Sequence, residues 1–237
     1  MNRILAVSKY LIKDMSKAML VFYAVIITLS TIMVGSFVAI NNNSSGNVSF
    51  GGFGFSAVIF LFIAAMNSFK VNFKFMLANN VTRKSFFAAA LLGLGGMAAV
   101  MSLLDFISDR ILKTMIPYVG LFEGLYKNNS LAANLLWTFA LLLFAACWGW
   151  LITILYYWCS KLMKTVISIL PVLIVILLGI LNERVGGAIS TAVVRFLTVS
   201  LGFVDYNAYI AVLSFMIGSL ILGGLSYLLI RRMPIKD

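Results

Sequence analysis

The chain has 237 residues, 62% of them hydrophobic, 14% aromatic and only 11% charged, with a formal net charge of +11. Soluble domains are about half apolar and about a quarter charged. One compact body of this size could not bury that much apolar surface, so a water-soluble globule is excluded. The absence of histidine and the presence of just two cysteines exclude a His-based triad, a zinc protease, His-ligated haem and a four-thiolate metal site. Seven carboxylates leave little for acid–base catalysis, and the phosphate loop G-x-x-x-x-G-K-[ST] is missing. The chain therefore reads as an all-α polytopic membrane protein that is not itself an enzyme.

Residues 1–18 are expected to form an in-plane amphipathic helix. At 100° per residue Ile4, Leu5, Val7, Leu11, Ile12 and Met15 share one side, and Arg3, Lys9, Lys13 and Lys17 the other. Such a helix lies on a bilayer with its cations toward anionic headgroups. The alternative is a plain extension of the first span. The basic N-terminus and a first apolar run of spanning length speak against a cleavable signal peptide.

About 20 apolar residues cross a bilayer. Six spans follow at 19–40, 53–69, 86–106, 131–158, 165–181 and 208–230. The first stops at the uncharged polar run Asn41–Asn47. Between the third and fourth, residues 106–129 mix apolar and charged side chains around Pro117, as expected of one or two short interfacial helices. The fourth span carries all four tryptophans. The fifth contains Pro171, which membrane helices tolerate because neighbours satisfy the freed carbonyl.

Residues 186–204 could be miscounted as a seventh span, with Arg195 in mid-run. With six spans and both termini inside, thirteen of the eighteen Lys/Arg and two of the seven acids fall on the cytoplasmic side. That asymmetry follows the positive-inside rule. Residues 186–204 are therefore expected to be re-entrant or interfacial on the outer face. The expected location is the plasma membrane, multi-pass, with both termini cytoplasmic.

The second cytoplasmic connection, Leu77 to Phe87, is the most informative segment. Asn79 and Asn80 can cap a short helix by accepting from first-turn N–H groups. Val81, Thr82, Arg83, Lys84 and Ser85 make a compact polar surface with one apolar peg, and Phe86 returns the chain to lipid. Such a helix fits a groove in a soluble partner; an ordinary positive-inside loop would need the same basic residues.

The order of parts resembles the permease subunits of ABC transporters of the ABC-2 type. These have a basic in-plane helix, six spans, a short connection between spans two and three, and a re-entrant outer segment between spans five and six. In that family the second-to-third connection often reads small/apolar–Ser/Thr–Arg–Arg/Lys–x–aromatic/apolar, and Val81-Thr82-Arg83-Lys84-Ser85-Phe86-Phe87 fits. The layout covers nearly the whole chain and the motif about seven residues; Asn80 stands where the family often has Gly or Pro. The resemblance implies that residues 79–86 are a coupling helix docking into two copies of an ATPase subunit. It also implies a second permease subunit, identical or related. The chain itself would hold no cofactor, ATP and Mg²⁺ residing on the ATPase, and no nucleic acid would be bound. Exported hydrophobic or amphipathic cargo is expected, with antimicrobial or cytolytic peptides (phenol-soluble-modulin-like peptides among them) preferred and lipids or drugs next.

Other residues have two readings. Trp148 and Trp150 are candidates for lining the pathway; Trp137 and Trp158 sit where aromatic belts occur. Asp105 falls near the outer interface, with Arg110 as a candidate ion-pair mate and Lys113 as another. Ala89/Gly93, Gly95/Ala99 and Ala145/Gly149 repeat small residues four apart and permit close helix contact, within the chain or at a subunit seam. Rival functions are a secondary transporter or channel, an intramembrane enzyme, and an immunity or sensor protein that moves nothing.

Overall fold

The computed structural model describes residues 3–41, 50–126 and 130–233. The expected polar turn after the first span therefore lies largely outside the described residues, as do Lys127, Lys236 and Asp237. Eight helices account for most of the described chain: α1 (Arg3–Asn41), α2 (Phe53–Ala78), α3 (Arg83–Met115), α4 (Leu121–Leu125), α5 (Leu131–Trp158), α6 (Lys161–Arg184), α7 (Ala188–Ser200) and α8 (Ala208–Arg231). The strands β1 (Phe50–Gly51) and β2 (Tyr118–Val119) pair in parallel. Among the described residues, six helices are long and apolar enough to cross a membrane: α1, α2, α3, α5, α6 and α8. The architecture is that of an all-α polytopic membrane protein, and the segment 186–204 contributes only the 13-residue α7.

Two expectations change. The in-plane helix and the first span are one unbroken 39-residue helix. Residues 4–34 contain neither glycine nor proline, so nothing in the backbone favours a bend near residue 18. Its early apolar face packs on the protein itself: Val7, Leu11 and Met15 are buried in the main core. A Cβ on Gly93 would lie 3.5 Å from the Leu11 Cβ, and one on Gly96 would lie 3.2 Å from the Ile12 Cδ1. Glycines in α3 thus make room for α1. Lys9, Lys13 and Lys17 remain exposed on the other side, and the Arg3 side chain lies outside the described ones. The second change concerns residues 106–129. Helix α3 continues through Met115 before Pro117 ends it, because the residue before a proline is pushed out of the helical region; Ile116 has φ −143° and ψ 158°. One short helix follows, the five-residue α4.

The core is organised around α5, whose most extensive seams are with α2 and α8. Along the α2 seam a Cβ on Gly149 would fall 2.4 Å from the Phe62 carbonyl oxygen, so only glycine allows this approach. Four residues on, the Thr153 hydroxyl donates to the Met66 carbonyl at 2.8 Å. In lipid such close packing and hydrogen bonding replace the hydrophobic drive. An aromatic cluster of Phe69, Phe73, Phe86, Trp150 and Tyr157 fills the basic half, with ring centroids 5.0–6.5 Å apart. Helix α6 has no buried residue, and the Tyr156 and Ser168 hydroxyls tie its second turn to α5. Pro171 sits inside it without ending it.

Candidate functional site

Residues 79–86 do not form a separate short helix. They make a four-residue turn between α2 and α3 followed by the first turn of α3. The Val81 N–H donates to the Met76 carbonyl and the Asn80 N–H to the Leu77 carbonyl, both at 3.0 Å. This Schellman pattern puts Asn80 in the left-handed region, at φ 57°. Asparagine tolerates that conformation better than most residues. Asn79 closes the end of α2 instead of opening a helix: its side-chain Nδ2 donates to the Phe75 carbonyl at 2.8 Å. The N-cap is Thr82, whose Oγ1 accepts from the Ser85 N–H at 3.2 Å.

The turn is welded to the core from beneath. Val81 packs on the main core and Phe86 is 1% exposed. Asn79, Asn80, Thr82 and Lys84 are exposed. The Arg83 Nη1 donates to the Arg231 carbonyl at 3.0 Å, joining the start of α3 to the end of α8. A rigid, capped, basic surface therefore stands over four helices: α2 and α3 directly, α5 through the aromatic cluster, and α8 through Arg83.

A second polar group lies toward the opposite end. The Tyr23 hydroxyl on α1 donates to Asp105 Oδ1 at 2.9 Å and contacts the Met101 carbonyl at 3.2 Å. The Asp105–Arg110 pair is not formed. The two residues are five apart on α3, which sets their side chains about 140° apart around the helix, and Arg110 lies instead over the Phe106 ring, 5.5 Å from its centroid. The ion pair found among the described residues is Lys113 with Glu123, tying α3 to α4. A small cavity of about 20 Å³, room for one water, is bounded by Asp105, Asp109, Asn134, Trp137 and Thr138 among others. Asp105 Oδ2 is buried without a hydrogen-bond partner among the described residues. A Cβ on Gly120 would sit 2.5 Å from Asp109 Oδ2, so a larger residue there would have to push the Asp109 carboxylate aside. Burial, and after it the neighbouring Asp109 charge, push the Tyr118 phenol above its ordinary range.

No family model matches the chain, and neither the curated proteins nor the solved structures hold a similar one. The site must stand on its own geometry.

The tryptophans separate. Trp150 is 2% exposed and packed among Phe69, Phe86 and Phe87. In the single chain it belongs to the ring cluster and has almost no exposed surface. Trp148 is 48% exposed and stacks on Phe144. Trp137 shares the helical face of Trp148 but is buried under Phe122, Tyr126 and Phe215. The small residues at 93, 96 and 149 serve contacts within the chain. Sequence reasoning missed the Tyr23–Asp105 contact, which joins residues 82 apart; no local pattern signals it. It also missed the Lys113–Glu123 pair, for which opposite charges flanking the break at Pro117 were a usable sign.

Proposed function

We propose that the chain is the transmembrane permease subunit of an ATP-driven exporter, built like those of the ABC-2 type. The observation that carries this reading is the Schellman-closed, Thr82-capped basic turn at 79–85. It presents exposed polar side chains outward while Val81 and Phe86 anchor it inward. An ordinary topogenic loop needs the cations but not the rigidity. A force applied at Lys84 would reach α2 and α3 together and, through the ring cluster, α5. The turn therefore acts as a lever for a separate ATPase rather than as a site of chemistry.

In this reading the basic end is cytoplasmic, as the charge asymmetry favours. Two ATPase subunits bind there and carry the nucleotide and Mg²⁺. Each nucleotide state stabilises a different arrangement of the spans, because a ligand shifts an equilibrium only by its differential affinity. A second permease subunit, identical or related, completes the pathway and covers apolar surface such as that of α6, all but two of whose residues are exposed in the single chain. Amphipathic peptides are the preferred cargo, then lipids or drugs.

The test is charge reversal at the turn. Lys84→Glu leaves the Arg83 contact to α8 in place and exchanges an exposed cation for an anion. Combined with Arg83→Glu, it should leave membrane insertion intact while abolishing co-purification of an ATPase and nucleotide-dependent export. Normal ATPase binding and transport by the double variant would overturn the assignment. Transport that needs no nucleotide would favour a secondary transporter instead.

A further inference from the structure

Where α5 and α8 end together at the basic end, a pocket of about 390 Å³ opens between Trp158, Leu228, Leu229, Arg231 and Arg232. Its volume falls within the range of small-ligand sites, about 300–1,000 Å³. We propose that it binds an anionic phospholipid, the phosphate resting on Arg231 and Arg232 and the start of the acyl region lying against Trp158 and the two leucines.

Charge complementarity is the first argument. Both arginines are exposed, and neither is ion-paired among the described residues. Arg83 adds a third guanidinium at the same corner. Asp14 of α1 is engaged elsewhere, accepting from Asn72 of α2 at 3.2 Å. Basic pockets between helix ends on one side of a membrane suit anionic headgroups. A helix C-terminus ordinarily disfavours a phosphate, since its free carbonyls carry partial negative charge. Here Arg83 covers the Arg231 carbonyl, which removes part of that opposition.

The apolar wall is the second argument, and it selects lipid over a soluble acidic partner. Trp158 is 49% exposed and Leu228 is 59% exposed. An indole at the end of a spanning helix belongs at the headgroup level, so phosphate-binding and chain-binding groups meet at the depth where a phospholipid changes from one to the other. Arginines serving membrane topology alone would need no such wall.

The experiment uses the full chain in nanodiscs of phosphatidylcholine doped with brominated phosphatidylglycerol, or with an equal share of brominated phosphatidylcholine. Bromine quenches tryptophan on contact. Brominated phosphatidylglycerol should quench more than its neutral counterpart, and Trp158→Phe should remove that excess. Arg231→Gln with Arg232→Gln should weaken the preference on the order of ten- to thirty-fold, from the typical contribution of two surface cations. If this double variant fails to insert, Trp158→Phe carries the test alone. Equal quenching by both lipids, or an excess that survives in Trp158→Phe, overturns the proposal. So does reversal by soluble glycerol phosphate at concentrations comparable to the lipid, which would make the ligand a free phosphate. An unchanged excess in the arginine variant, together with loss of ATPase co-purification, would assign these arginines to a protein partner and likewise overturn it.

Discussion

The α2–α5 seam turns on one missing side chain. In Gly149→Ala the new methyl would sit 2.4 Å from the Phe62 carbonyl oxygen and 3.2 Å from its carbon. Carbon–oxygen contacts settle near 3.3–3.6 Å, so the helices must separate by about 1 Å at this level. Backbone, unlike a side-chain tip, cannot swing aside. Overpacking of this kind costs about 1–3 kcal/mol. The same separation stretches the Thr153 to Met66 bond beyond hydrogen-bond length, adding about 0.6 kcal/mol and up to about 1.7. A loss of about 2–4 kcal/mol follows, a fall in Tm on the order of 5–15 °C at this chain length. The assay is thermal unfolding in detergent with a thiol-reactive dye, because Cys147 and Cys159 are both buried. Gly95→Ala is the matched control: no heavy atom lies within 4 Å of its Cβ position, and replacing a mid-helix glycine gains up to about 1 kcal/mol. Its Tm should hold or rise. The packing argument fails if Gly149→Ala melts with the wild type, or if Gly95→Ala falls as far.

The left-handed residue of the lever gives a second contrast. Asn80→Gly should leave stability within a few tenths of a kcal/mol and preserve ATPase co-purification, whereas Asn80→Val should cost about 1–2 kcal/mol for its Cβ clash; equal melting curves would contradict the turn geometry. The tryptophan pair gives a third. Trp150→Ala should lose about 3–5 kcal/mol as a buried aromatic deletion, while Trp148→Ala should shift stability by less than about 1 kcal/mol, checked by the same dye assay with secondary structure followed by circular dichroism.

Much of the architecture was legible because crossing a bilayer is a local demand. A run near 20 apolar residues is a property of consecutive side chains, and the boundaries of α5 and α8 lie almost where composition put them. The break at Pro117 is likewise a backbone rule written in one residue. The coupling segment was visible as a position and a charge, but not as a shape. Asn79 and Asn80 are cap-forming residues at either end of a helix, and only the bonds back to Leu77, Met76 and Phe75 assign them to the end of α2.

What tertiary structure alone decided is which side of each helix meets protein. The cationic face of residues 4–17 reads as a membrane-surface helix from periodicity. The structure spends its apolar face on α3, where Gly93 and Gly96 leave room that no one-helix pattern reveals. Trp137 and Trp148 occupy one helical face yet end buried and exposed, because α4 and α8 cover only the first. Asp105 and Arg110 are neighbours in sequence but project apart, and the aspartate's partner arrives from 82 residues away. Hydropathy sums over adjacent residues and so specifies how many helices enter the membrane; pairing depends on contacts between distant ones, which exist only once the helices have packed.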